Sequence, residues 1–240
     1  MKTNKITVKV LAEIAIFSAL ALALDFIQSG YSRGMFVNGG SIGIAMVPVF
    51  IIAYRRGLVA GLISGFIVSI LQMLGGIFVI PGATYDGAMK FFAPFTQILL
   101  DYVLGYTVVG IAGAFSGKYK KGKTIGERIL WIVVGTVIGG LLKYACHVLA
   151  GGLFWLDPTA KPMFGVTGET WLYSFVYNGA ACIPSTILST AVMVLIGAFY
   201  PQLLLTGIKG DGEVSKEVDS DIYSYKKDED GEVYNNEKTL

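Results

Sequence analysis

Long apolar segments with few charges constrain the fold of this chain more than any other feature of its sequence. A helix that crosses the hydrocarbon core of a bilayer needs about 20 mostly apolar residues. Six segments meet or approach this requirement, and polar or Gly- and Pro-containing loops separate them. They are residues 10–28, 42–54, 58–80, 92–115, 129–154 and 171–199. The sequence therefore predicts an all-α integral membrane protein with six transmembrane helices in one domain, residues 1–206.

Charge divides the chain into a basic body and an acidic tail. Residues 207–240 hold ten of the 17 acidic residues and only five of the 19 lysines and arginines. This tail has few aliphatic residues, and such a segment cannot bury enough apolar surface to fold alone. We therefore expect residues 207–240 to form a disordered cytoplasmic tail.

The basic residues in short loops predict the orientation in the membrane, because lysine and arginine are enriched in cytoplasmic loops. If the six helices alternate in direction, ten basic residues fall on one side and three on the other. Both termini are then cytoplasmic, and the loops after the first, third and fifth helices face outside. The ten are Lys2, Lys5, Lys9, Arg55, Arg56, Lys118, Lys120, Lys121, Lys123 and Arg128, against Arg33, Lys90 and Lys161.

Polar side chains within three predicted helices indicate a functional site. Asp101 lies in the fourth helix, Lys143 and His147 in the fifth, and Asn178 in the sixth. An ionisable residue in hydrocarbon costs about 3 kcal/mol, so it is a functional candidate. At 1.5 Å per residue, all four lie roughly 10 to 18 Å below the outer surface. The shared depth predicts one polar layer built from three helices.

Aromatic and small residues surround this layer. Gly151 and Trp155 continue the four-residue spacing of Lys143 and His147, and Tyr102 follows Asp101. Tyr173 and Tyr177 lie at the same level on the sixth helix. Aromatic walls with a few polar groups are typical of a small-molecule site. A carboxylate beside aromatic rings favours a cationic or amine-bearing ligand.

Each of these residues also has a structural interpretation. Asp101 and Lys143 could form an ion pair whose single role is to hold two helices together. His147 could be a buried histidine of the core with all its hydrogen bonds made. Trp155 is consistent with an anchor at the membrane interface, like Trp171 and Tyr173. Asn178 is consistent with a hydrogen bond across helices. The shared depth favours a binding site.

Four segments carry a family resemblance: residues 54–62, 100–102, 142–155 and 173–178. They resemble the thiamine-specific S component of energy-coupling factor (ECF) transporters, the ThiT or YuaJ family. The similarity runs from about residue 8 to residue 204. The fifth helix, with Lys143, His147, Gly151 and Trp155 at fixed spacing, is its most specific part.

The resemblance implies a multi-pass protein of the bacterial plasma membrane that captures thiamine from outside with high affinity. It also implies docking onto a shared transmembrane coupling subunit with two cytoplasmic ATPases. The chain would then be a transport subunit without enzymatic activity or a cofactor, and its partners would use the ATP. The absence of a GxxxxGK[ST] phosphate loop from the sequence agrees with this division of labour.

The resemblance further implies roles for particular residues. It implies that the coupling subunit docks on Ala15 and Ala19, which belong to a stripe of small residues on the first helix. The pattern alone is also consistent with packing inside the bundle. Some family members close the site with a tryptophan after the first helix; residues 29–40 contain none, which leaves Tyr31 or Phe36 for that position. The implied thiamine-binding residues are Asp101, Tyr102, Lys143, His147, Gly151, Trp155, Tyr173 and Asn178.

Other functions remain open at this point. The nearest is an S component for another vitamin, and a second is a self-sufficient secondary transporter of a small cationic substrate. An intramembrane hydrolase would need a nucleophile beside His147, and Ser64 lacks the sequence setting of such enzymes. His147 is the single histidine, which excludes a metal site built from several histidines.

Overall fold

The computed structural model describes residues 7–32, 34–36, 39–205, 225–227 and 233–235. Helices account for nearly all regular structure up to residue 205, with one short 3-10 turn at Gly82–Thr84. We number the helices in chain order. They are α1 Val8–Ser32, α2 Val47–Arg56, α3 Leu58–Leu74, α4 Met89–Lys121, α5 Ile125–Phe154, α6 Trp171–Phe199 and α7 Gln202–Leu205.

The described part of the tail consists of two short strands. β1 (Tyr225–Lys227) pairs antiparallel with β2 (Val233–Asn235). The other residues of the 207–240 segment lie outside the described residues, so the expected disorder of the tail stays a prediction.

Within the described residues, four helices, α1, α4, α5 and α6, are long and apolar enough to cross a membrane. The apolar helix α3 has 17 residues and α2 has 10, both shorter than a usual span. The helical membrane protein predicted from the sequence agrees with these spans. Six crossings and the cytoplasmic location of both termini stay predictions.

The predicted helix boundaries differ from the structure at the start of α2, which begins at Val47 rather than at residue 42, at the end of α3, and within α4. Helix α6 has the predicted bounds, Trp171–Phe199. Helix α3 ends at Leu74 rather than at residue 80, because the chain leaves the helix at Gly75 and Gly76 takes a φ of +118°, which disfavours any residue with a Cβ.

Helix α4 is not a regular α-helix, although the sequence suggests a single one. A π-helical turn spans Ile98–Val103 and includes Asp101, and a 3-10 segment spans Val108–Phe115. π-turns widen a helix locally and are frequent at functional sites. The wider turn changes the angular position of Asp101 relative to the apolar residues before it.

The two ends of the helical bundle carry different residues. At the basic end, the Glu13 carboxylate of α1 accepts hydrogen bonds from Arg55 Nε (2.9 Å) and Arg56 Nε (2.6 Å) of α2. Lys120 Nζ of α4 donates to the Arg55 carbonyl oxygen at 2.7 Å. The other end, which we call the loop end, holds the connections α1–α2, α3–α4 and α5–α6.

Candidate functional site

A cavity of about 750 Å³ lies at the loop end of the bundle. Its lining comes from α1, α3, α4, α5 and α6 and from the loops between them, not only from the three helices predicted from the sequence. The structure brings together all eight residues singled out in the sequence: Asp101, Tyr102, Lys143, His147, Gly151, Trp155, Tyr173 and Asn178.

Asp101 holds the centre of a polar chain between α4 and α5. Its Oδ2 accepts a hydrogen bond from Trp155 Nε1 at 2.7 Å, and its Oδ1 lies 3.2 Å from His147 Nδ1. The Asp101 and His147 side chains are only 20% and 22% exposed, so little water competes for these contacts. Both carboxylate oxygens of Asp101 are therefore engaged by α5.

Lys143 extends this chain deeper into the bundle. Its Nζ lies 3.1 Å from His147 Nε2 and 4.0 Å from the centroid of the Tyr106 ring. One neutral tautomer satisfies both contacts of His147: Nδ1–H donates to Asp101 while Nε2 accepts from Lys143. The simple Asp101–Lys143 ion pair considered from the sequence is thus replaced by a bridge through His147.

One aromatic wall is built from Trp155 and from the loop that follows α3. The rings of Phe78 and Trp155 stack with centroids 5.5 Å apart and planes at 28°. The Tyr102 hydroxyl accepts from the Phe78 backbone N–H at 2.8 Å and lies 3.2 Å from its carbonyl oxygen. Tyr102 therefore fixes the loop that carries Phe78 over the cavity.

A second aromatic wall consists of two tyrosines of α6. The rings of Tyr173 and Tyr177 stack with centroids 5.7 Å apart. The Tyr177 hydroxyl donates to the Gly39 carbonyl oxygen at 2.8 Å, and the Tyr173 hydroxyl donates to that of Lys161 at 3.2 Å. Each hydroxyl therefore ties a loop to the rim of the cavity.

Of the two residues considered for a lid in the sequence, Phe36 packs against this wall and Tyr31 bonds to the α1–α2 loop. Phe36 is buried and packs edge-on against Tyr177 with centroids 5.8 Å apart. Tyr31 is mostly exposed, and its hydroxyl donates to the Ile42 carbonyl oxygen. Neither Tyr31 nor Phe36 lines the cavity, whereas Phe78, in the loop after α3, does.

Asn178 and Gly151 join α6 to α5 at the cavity. Asn178 Nδ2 donates to the carbonyl oxygens of Ser174 (2.9 Å) and His147 (3.2 Å), so the cross-helix hydrogen bond expected of it is present. A Cβ added to Gly151 would overlap Ser174 Oγ and lie 3.0 Å from Asn178 Nδ2. Gly151 thus permits the close approach of the two helices.

Sequence analysis missed a second half-buried acid, Asp25 of α1, and its buried neighbour Gln28. Asp25 Oδ1 accepts hydrogen bonds from Tyr106 Oη and Gln28 Nε2, both at 3.1 Å. The rule that selected Asp101, an ionisable residue inside an apolar helix, applies equally to Asp25. The polar lining of the cavity therefore contains a second acid beside Asp101.

The balance of charge around the cavity is acidic. Asp25, Asp101 and Asp157 line it, against the single base Lys143, among the residues that the structure describes. Asp157 lies on the exposed rim, where hydrogen bonds from the Thr159 side chain and backbone lower its pKa. Such a cavity attracts a small cation.

The small-residue stripe of α1 faces away from the bundle. Ala15 and Ala19 are exposed, and so are the larger neighbours Leu11, Ile16 and Leu20. The alternative that this stripe packs inside the bundle is therefore wrong. The face is open to lipid or to another membrane protein.

Helical spans and a polar, aromatic-walled cavity at one end define a membrane protein with a site for a small molecule. Residues 11–205 match the family described as Thiamine transporter protein (Thia_YuaJ), and the chain belongs to that family. It is a multi-pass protein of the bacterial plasma membrane.

Individual relatives agree with this assignment. Thiamine transporter ThiT of Bacillus subtilis (strain 168) is 34% identical over 203 residues, which cover 81% of this chain and 93% of that protein. Thiamine transporter ThiT of Lacticaseibacillus paracasei is 30% identical over 200 residues, 82% of this chain and 90% of that one. The solved structure of ThiT from Listeria monocytogenes superposes with a TM-score of 0.62 at 28% identity and covers 81% of this chain and 96% of that chain.

Proposed function

We propose that this chain is the high-affinity thiamine-binding S component of an ECF transporter. The observation that carries the proposal is that the eight motif residues, which lie in α4, in α6 and in or directly after α5, meet in one cavity. In the transporter, a shared transmembrane coupling subunit and two cytoplasmic ATPases would energise import. The chain itself would bind thiamine without ATP.

The chemistry of the cavity suits thiamine. Thiamine combines a positively charged thiazolium ring with an aminopyrimidine ring. Rings of Trp155 and Phe78 can stack on either ring and stabilise the positive charge. The Asp101 carboxylate can accept a hydrogen bond from the exocyclic amine once its hydrogen bond with His147 or Trp155 is broken. Tyr102, Lys143, Gly151, Tyr173 and Asn178 would shape and orient the remainder of the site.

The exposed stripe of α1 supports the docking part of the proposal. Close approach of membrane helices requires small side chains at the contact, and Ala15 and Ala19 provide them on an outward-facing surface. The basic end, with Arg55, Arg56 and Lys120, would face the cytoplasm and the ATPases. The cavity would then open to the outside.

Isothermal titration of the purified chain with thiamine tests the proposal. We expect tight binding of one thiamine per chain without ATP. Quenching of tryptophan fluorescence by thiamine should disappear in Trp155→Phe and persist in Trp171→Phe, because Trp155 lines the cavity and Trp171 packs against Gly152 outside the lining. No heat and no quenching at micromolar thiamine would overturn the proposed function.

A further inference from the structure

Asp25 is the acid through which α1 reaches the cavity. It lies within the membrane-spanning helix Val8–Ser32 and lines the cavity together with Gln28 and Ser29. A charged side chain inside a spanning helix costs about 3 kcal/mol and is retained where it serves a role. None of the eight residues singled out in the sequence lies on α1, so this part of the cavity has no assigned role.

The hydrogen bonding of Asp25 leaves one carboxylate oxygen open. Tyr106 Oη and Gln28 Nε2, both uncharged donors, bond to Oδ1. Within the described residues, Oδ2 accepts no hydrogen bond, and no Lys, Arg or His side chain forms an ion pair with Asp25. Asp101 differs, because both of its oxygens are engaged by Trp155 and His147.

Asp25 is also held in place. Gln28, which donates to it, donates in addition to Ser41 Oγ at 2.8 Å and accepts from the Ala45 backbone N–H at 3.1 Å. Tyr106, the other donor, is nearly fully buried. Two immobilised partners fix the carboxylate with little conformational freedom left to lose on binding, which is the arrangement expected of a recognition group.

Lys143 does not neutralise Asp25 by direct contact. Both residues contact Tyr106 instead: Lys143 Nζ lies 4.0 Å from the centroid of its ring, and Asp25 Oδ1 accepts a hydrogen bond from its hydroxyl. The lysine is also engaged with His147 Nε2 at 3.1 Å. A positively charged ligand can therefore meet Asp25 without displacing an existing ion pair.

We propose that Asp25 is a second ligand-recognition carboxylate, which selects for the positive charge of the ligand from the α1 side of the cavity. For the identity of that ligand the proposal rests on the proposed function, thiamine. Asp101 then serves as a hydrogen-bond acceptor within the His147–Trp155 network, and Asp25 adds a negative charge that no cationic side chain contacts directly within the described residues. A carboxylate screened from bulk water attracts a cation more strongly than one in water.

The test compares two ligands that differ in charge and hardly in shape: thiamine and 3-deazathiamine, its uncharged thiophene analogue. Calorimetry on the full chain gives both affinities for wild type, Asp25→Asn and Asp25→Ser. The matched control is Asp86→Asn, which removes an exposed acid at the loop end outside the cavity lining. Thermal unfolding in detergent checks that every variant is folded. If Asp25→Asn does not fold, Asp25→Ser takes its place in the comparison.

We expect Asp25→Asn to weaken thiamine binding about 10- to 100-fold, as for loss of a charge-assisted contact. Affinity for 3-deazathiamine should change less than about threefold, and Asp86→Asn should leave both ligands unaffected. Equal losses for the two ligands would show that Asp25 is only structural, and no loss for either would show that it does not meet the ligand. Both outcomes overturn the assignment. If wild type binds no thiamine, the proposed function fails instead.

Discussion

At the residue scale, Asp101 and Asp25, the two half-buried acids of the cavity, are distinguished by the hydrogen bonds that they already accept. Asp101 is bonded through both oxygens to α5, whereas Asp25 keeps one oxygen open. A sequence rule that marks acids in apolar helices finds both, but it cannot tell which one is already satisfied. The distinction comes from the histidine tautomer and from the Trp155 indole, which only the three-dimensional arrangement places beside Asp101.

Substitution of Asp101 tests its role as acceptor. We expect Asp101→Asn to weaken thiamine binding about 10- to 100-fold, corresponding to about 1.5–3 kcal/mol for a hydrogen bond to a charged group. Asparagine can accept from Trp155 but would present an N–H or a weaker acceptor to His147 and to the ligand amine. Asp101→Glu keeps the charge and should bind more tightly than Asp101→Asn.

Titration calorimetry checks this order of affinities, with Glu169→Gln as the control because Glu169 is exposed and outside the cavity lining. Wild-type affinity in Asp101→Asn would assign Asp101 a purely structural role.

At the element scale, the sequence predicts the long helices well and the irregular ones poorly. Long apolar runs between polar loops place α5 and α6 within a few residues of their observed ends. The π-turn at Asp101 has no sequence signal, because it depends on how α4 packs against α3 and α5. Phe78 and Tyr106 were missed for a similar reason: one lies in a loop and the other is an ordinary aromatic residue within an apolar helix.

The contact between α5 and α6 at the cavity depends on Gly151, and Gly151→Ala tests it. An added Cβ would overlap Ser174 Oγ and crowd Asn178 Nδ2, so the helices must separate or shift. We expect a loss of stability of about 1–3 kcal/mol, typical of overpacking, together with weaker thiamine binding.

Thermal unfolding midpoints and calorimetry measure both effects. Gly126→Ala is the matched control on the same helix, since the nearest atom to its added Cβ, Thr124 Oγ1, is 3.9 Å away. That variant should be neutral or up to about 1 kcal/mol more stable because alanine favours helix. Equal changes in unfolding temperature and in thiamine affinity for Gly151→Ala and Gly126→Ala would show that the close α5–α6 contact at Gly151 limits neither stability nor binding.

At the scale of the whole molecule, α1 has two faces with different tasks. Its inner face carries Asp25 and Gln28 into the cavity, and its outer face carries Ala15 and Ala19. From the sequence, α1 was expected to lie apart from the polar layer, and the structure corrects this. A partner protein that binds the outer face of α1 therefore contacts the same helix that carries Asp25, the residue that we propose recognises the charge of the ligand.

Ala15→Trp combined with Ala19→Trp separates docking from binding. The two bulky side chains project from the exposed face, so we expect thiamine affinity near wild type in the isolated chain. ATP-dependent thiamine uptake by vesicles that contain the coupling subunit and ATPases should be abolished, and copurification with that module should fall in parallel, because close helix approach is blocked.

The control variant is Ala145→Trp with Ala191→Trp, which adds two equally large side chains on the exposed faces of α5 and α6. Wild-type uptake in the α1 double variant would exclude α1 as the docking surface. Lost thiamine binding would instead show that the outer face of α1 controls the position of Asp25.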